Sequence, residues 1–188
     1  MQKIEIKAAE RRDLGKKATK QFRKEELVPG VLYGGKEVVH FTSLEKELNK
    51  LIYTPHVYLV SLDVEGKKYD AVIKDLQYHP VTDKLLHIDF LQIFEDKPIV
   101  IEIPVQLEGL AEGVKAGGKL QLEQRKLRVR GLAKDLPDEV KIDISHLGLG
   151  KTIQVGQVEF PNLEFLNAKN SVVVSVKLTR AARAAAQK

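Results

Sequence analysis

The chain has 188 residues, 43% of them hydrophobic and 30% charged, with a net charge of +5 and no cysteine. That composition is globular rather than disordered, leaves room for one large or two modest cores, and excludes disulfides, thiol chemistry and cysteine-built zinc sites. No apolar run approaches the ~20 residues a spanning helix needs. MQKIEIKA opens as an alternating strand without an apolar signal-peptide core, so a reducing cytoplasm and no membrane are expected.

KIEIKA places Ile4, Ile6 and Ala8 on one face of a first strand. Residues 17–26 read as a short, mostly exposed helix with only Ala18 and Phe22 as its apolar stripe, ended before Pro29-Gly30. A second helix is expected over residues 44–52, where Leu44, Leu48, Leu51 and Ile52 recur at helical spacing. Ser43 suits its N-cap, and Glu45 and Glu47 its positive end. VYLVSLDV alternates Tyr58, Val60, Leu62 and Val64, turns at Glu65-Gly66, and returns through KKYDAVIKDLQY as a hairpin. After a loop at Pro80, KLLHIDFLQI puts Leu86, Ile88 and Phe90 on one face and His87 and Asp89 on the other.

FEDKP, residues 94–98, separates two strand-rich halves, so the chain divides at about residue 95. Beyond it KPIVIEIPVQL aligns Ile99, Ile101, Ile103, Val105 and Leu107 on one face. LRVRGL, EVKIDI and SVVVSVKL continue the alternation to residue 178, with Gly117-Gly118 as a turn. The expected architecture is mainly β: strands with short helices over 1–95, a separate all-β C-terminal domain over 96–178, and a basic, alanine-rich tail over 179–188.

Charge is concentrated. Arg11, Arg12, Lys16, Lys17, Lys20, Arg23 and Lys24 face one acid, Asp13, a surplus of +6 in a chain whose total is +5. Such a run is the footprint of a polyanion partner. The tail, with Lys177, Arg180, Arg183 and Lys188, reads as a solvated end.

GLGKT (148–152) lacks the glycine a phosphate-binding loop needs five positions before the glycine-lysine pair, where Ser145 stands, and strand-like TIQVGQVEF follows it. A turn between strands is expected there. Among His40, His56, His79, His87 and His146 none has metal-site spacing. His87 and Asp89, with His79 third, lack a fourth ligand, so no metal or other cofactor is expected. As an acid–base dyad the same pair has no nucleophile motif beside it. An enzyme is not expected.

Recognition remains. Lysines and arginines neutralise phosphates without distinguishing sequence, whereas an acid beside them is repelled by phosphate and is useful against base N–H groups. Asp89 would then supply selectivity, with His87 assisting. Tyr33, before Gly34-Gly35, can stack or hydrogen-bond where the backbone approaches a partner closely.

GKKATKQFRKEELVPGVLYGGK, then QYHP and KLLHIDF, then IPVQLEG and GVKAGGKLQ together resemble the bacterial large-subunit ribosomal protein numbered twenty-five, in its longer general-stress CTC form, over about residues 1–178. The resemblance implies an N-terminal six-stranded β-barrel that binds 5S ribosomal RNA at its loop E region, in the cytoplasmic ribosome, and an added all-β C-terminal domain. It implies RNA contacts at Arg11 or Arg12, Lys16, Lys17, Lys20, Arg23, Tyr33, His87 and Asp89, and Lys36 of the YGGK stretch is expected to join them. Relatives often carry arginine where Lys20 stands, and some end in an acidic tail, so nothing is carried over to residues 179–188. The free protein is expected to be a monomer whose C-terminal domain meets other ribosomal proteins or rRNA. Lys126, Arg128 and Arg130 share one strand face and offer that domain a basic surface; a stress-induced adaptor for a protein partner is the rival reading.

Overall fold

The computed structural model describes residues 2–13, 15–54 and 56–180. Two compact units form, one from Met1–Ile99 with Leu132–Lys134, the other from Val100–Gly131 and the chain from Asp135 onward. Among the described residues no helix is long and apolar enough to cross a membrane.

The first unit contains β1 (Lys3–Glu10), α1 (Lys16–Lys24), β2 (Leu27–Tyr33), β3 (Val39–Leu44), α2 (Glu45–Ile52), β4 (Leu59–Val64), β5 (Lys67–Tyr78) and β6 (Leu85–Gln92). Six strands close into a barrel in the order β1-β3-β2-β6-β5-β4. Two of its seams are parallel, β1 to β4 and β2 to β6, and the rest are antiparallel. Ile6, Leu32, Phe41, Leu62, Ile88 and Phe90 fill the interior, each at most 1% exposed. The Phe41 and Phe90 rings stack with centroids 5.7 Å apart. Truncating either to alanine would cost about 3–5 kcal/mol.

The β4–β5 hairpin turns where expected. Glu65 and Gly66 both have positive φ, 51° and 89°, and Asp63 Oδ1 accepts the Gly66 N–H at 2.9 Å. This is the backbone twist a two-residue hairpin demands.

Three local expectations are corrected. Ser43 does not cap α2: it lies buried in β3 and its hydroxyl donates to the Lys7 carbonyl at 2.9 Å, a cross-strand bond that wins over the cap. Leu44 is 50% exposed, and only Leu48 and Leu51 of the expected stripe are fully buried, because α2 begins one residue later against β3 and β1. Pro29-Gly30, before which α1 ends as expected, lies in the middle of β2, whose ladder to β6 starts at Gly30, just past the missing proline N–H. A Cβ on Gly30 would sit 2.3 Å from Phe41 Cζ and 2.8 Å from Ile88 Cγ2, so glycine is required by the core it touches. Finally, Leu86 leaves the core face. Gln77 pairs with His87 and Tyr78 with Leu85, so Leu86 is the extra residue of a β-bulge and Leu85 takes the buried position.

The second unit comprises β7 (Ile99–Glu108), α3 (Glu112–Lys115), β8 (Lys119–Leu122), β9 (Lys126–Gly131), β10 (Val140–Asp143), β11 (Thr152–Gln154), β12 (Glu164–Phe165) and β13 (Val172–Lys177). It holds a four-stranded sheet, β10-β7-β9-β12, and a three-stranded one, β11-β13-β8. It is β-rich with two short helical turns among the described residues, α3, which Gly117 (φ 86°) ends before β8, and a 3-10 turn at Val155–Gln157. Ile99, Ile101 and Ile103 are buried on one face as the alternation requires. In β13 four successive residues, Val173 to Val176, are buried, because this central strand is covered on both faces.

Candidate nucleic-acid interface

The outside of the barrel carries a cross-strand row. His40 of β3 pairs with Val31 of β2, Val31 with Asp89 of β6, and Asp89 with Asp75 of β5. One step away Gln77 opposes His87, and the Arg11 amide donates to the His40 carbonyl at 2.9 Å. Paired positions share a face, and Leu32, Ile88 and Phe90 point inward, so this row points out. Tyr33, two residues beyond Val31, stands on the same face. Barrel closure thus unites Tyr33, His87 and Asp89, as expected, with His40, Asp75 and Gln77. The sequence did not single these three out. For Asp75 and Gln77 the signal was the outward alternation around Leu76, but only the register places them opposite His87 and Asp89.

His87 Nδ1 and Asp89 Oδ1 lie 2.7 Å apart, each side chain about a quarter exposed (23% and 28%). Neither atom has an aligned hydrogen-bond partner among the described residues. Asp89 also opposes Asp75 directly, two acids where sheet stability disfavours like charges. Burial, then Asp89 and Asp75, push the Tyr33 phenol above its ordinary pKa, so it stays a neutral donor well beyond neutral pH. At the rim, buried Arg11 Nε and His40 Nδ1 have no hydrogen-bond partner among the described residues. The face therefore offers carboxylate acceptors, a phenol and an amide, with unspent polar capacity at its centre.

The basic side is α1. Gly15, with φ 136°, lets the chain enter the helix, and Thr19 Oγ1 donates back to its carbonyl at 2.7 Å. Ala18 and Phe22 are half-buried as α1 packs on β2, which turns the lysines outward. Lys16, Lys17, Lys20 and Lys24 are exposed with no acidic partner among the described residues. Arg12 reaches Glu10 only at 4.0 Å. Lys36 is exposed in the bend after β2. Arg23 differs: its Nε and Nη2 both donate to the Leu86 carbonyl, at 3.2 and 2.9 Å.

Other candidates are used elsewhere. His79 Nδ1 accepts the Val81 and Thr82 amides at 3.3 and 3.2 Å, closing its own turn rather than joining His87 and Asp89. Among the described residues no three His, Asp or Glu side chains are grouped to hold a metal ion. GLGKT forms a turn at Gly150 (φ 71°) leading into β11, with no helix to receive phosphate. The basic face of β9 is largely neutralised, Arg128 lying 3.4 Å from Glu102 and Arg130 3.8 Å from Glu164. Residues 181–188 of the expected tail lie outside the described residues.

Residues 6–90 match the family model described as the Ribosomal L25p family, and residues 98–180 match that of the ribosomal protein TL5 C-terminal domain. The chain is 57% identical to the large ribosomal subunit protein bL25 of Azobacteroides pseudotrichonymphae, covering 97% of each. It is 56% identical to that of Bacteroides fragilis (99% of this chain, 97% of the relative). For Porphyromonas gingivalis the identity is 54%, over 100% of this chain and 99% of the relative. This is the company of structural ribosomal proteins, not of enzymes. The chain belongs to the ribosomal L25p family.

Proposed function

We propose that the protein is a structural component of the large ribosomal subunit that binds 5S rRNA, at the loop E region, through its N-terminal domain, residues 1–95. Arg12, Lys16, Lys17, Lys20 and Lys36 neutralise phosphates, while Tyr33, His87 and Asp89 make the selective contacts, with Arg11 at the rim. The observation that carries the reading is the outward pair of acids, Asp89 opposite Asp75, on the barrel that also bears unpaired lysines. A surface evolved only to attract phosphate has no use for carboxylates, whereas base amino and imino groups do. The C-terminal domain, 96–178, serves contacts to other ribosomal proteins or rRNA, and the free protein is a cytoplasmic monomer. Naming 5S rRNA and loop E rests on the family resemblance.

Titration of the full chain against isolated 5S rRNA, with other structured RNAs as competitors, tests this. The 5S complex is expected to survive competitor excess, with log K against log salt falling at a slope of about −3 to −4 for four or five neutralised phosphates. Equal displacement by every competitor would sink the selective reading and leave a general polyanion binder.

A further inference from the structure

Arg23 belongs to the basic segment by sequence, but its guanidinium already has an occupation. The bulge between β5 and β6 leaves Leu86 without a cross-strand partner, and its carbonyl receives two N–H donors from Arg23. Arg23 lies in the last turn of α1, and Leu86 immediately precedes His87. One side chain thus ties the end of the lysine-bearing helix to the strand carrying His87 and Asp89. A guanidinium suits this because its planar fork places two donors at fixed angles, where an ammonium offers a single compact charge. To bind phosphate with the same atoms, Arg23 would have to release Leu86.

We propose that Arg23 is a positioning residue, a strut that sets α1 against the His87/Asp89 strand, and not one of the phosphate contacts. The proposal rests on the RNA-binding reading for its consequence, but the strut itself exists in the free protein. Its loss moves the lysines relative to the acids, so the cost falls on the RNA that uses both. The number of phosphates neutralised stays the same.

The test uses full-length Arg23→Gln and Arg23→Lys. Each is titrated against 5S rRNA and a structured control RNA across a salt series, and amide exchange is followed in the free proteins. Both variants are expected to weaken 5S binding about five- to tenfold, the lower range for losing charged-donor hydrogen bonds at an exposed site. Both should leave the control RNA and the salt slope unchanged. In the absence of RNA, residues 20–25 should exchange faster in both variants while the barrel strands keep their protection. A slope shallower by about 0.7–0.9 in Arg23→Gln, restored in Arg23→Lys, would make Arg23 a phosphate contact and overturn the proposal. Unchanged exchange in α1, or unchanged 5S affinity where the wild type is selective, would overturn it too. A wild type that does not prefer 5S rRNA defeats the functional reading instead, and the exchange measurement still decides the strut.

Discussion

On α1, Lys16, Lys17, Lys20 and Lys24 stand exposed without an acidic partner among the described residues, whereas on β9 Arg128 and Arg130 lie 3.4 and 3.8 Å from Glu102 and Glu164. The same unit as β9 also pairs Lys141 with Glu108 at 2.8 Å and Lys177 with Glu123 at 3.4 Å. In sequence the two regions look alike, basic residues on one face of an element. They differ in what adjoins them. A strand in a sheet has neighbours whose side chains fall opposite its own, and here those neighbours are glutamates. An exposed helix whose apolar side rests on a barrel has no such neighbour. Its charge is therefore left without an acidic partner among the described residues, and unpaired charge is what releases counterions when a polyanion binds. Two acids of the first unit show the converse: Asp75 and Asp89 oppose one another across the β5–β6 ladder, a placement that costs the sheet.

The contrast can be broken most directly at the acids. Asp89→Asn removes a negative charge, so a purely electrostatic interface would bind every RNA more tightly. Replacing one acceptor oxygen by a donor should instead weaken 5S rRNA by about 1–3 kcal/mol, or roughly five- to a hundred-and-fifty-fold, and leave a control RNA unchanged or slightly tighter. Paired titrations at one salt concentration, with folding checked by circular dichroism, decide it.

A smaller effect sharpens the comparison between the two basic regions. Lys17→Ala and Lys20→Ala should each shallow the salt dependence of RNA binding by about 0.7–0.9, while Arg128→Ala and Arg130→Ala should leave it alone. A shallower slope in the β9 variants would show that their glutamates do not neutralise them. The same β9 variants should change unfolding free energy by no more than about 0.5 kcal/mol in denaturant titration, since exposed ion pairs contribute little. A larger loss would give those pairs a structural role.

The smallest expected effect is alkaline. Because burial and the two acids raise the Tyr33 phenol, the folded state holds that proton more tightly than the unfolded chain does. Its contribution is fully present below the ordinary tyrosine value and is lost as pH rises through the raised one. Tyr33→Phe should flatten the fall of stability above about pH 10, as read from unfolding midpoints. An identical profile in the variant would place Tyr33 away from Asp75 and Asp89.

Whatever depends on a few neighbouring residues was legible in the sequence. The alternation of Ile4, Ile6 and Ala8, the Glu65-Gly66 turn, the α2 spacing of Leu48 and Leu51, and the lysine run of α1 all follow from side-chain period and backbone freedom within one segment. His87 and Asp89 were visible as an outward pair for the same reason. The register of strands distant in sequence was decided only by the tertiary structure. Parallel pairing of β2 with β6 brings Val31 beside Asp89, and β5 then sets Asp75 and Gln77 opposite Asp89 and His87. Ser43 was a plausible helix cap by type, yet closure of the barrel offered its hydroxyl the Lys7 carbonyl. The need for glycine at position 30 came only from Phe41 and Ile88, packed against it. The bulge that exposes the Leu86 carbonyl to Arg23 has no local signature, because an extra residue is defined only against a partner strand. Periodicity selects which face of an element is buried; closing six strands into one barrel selects which outward residues meet.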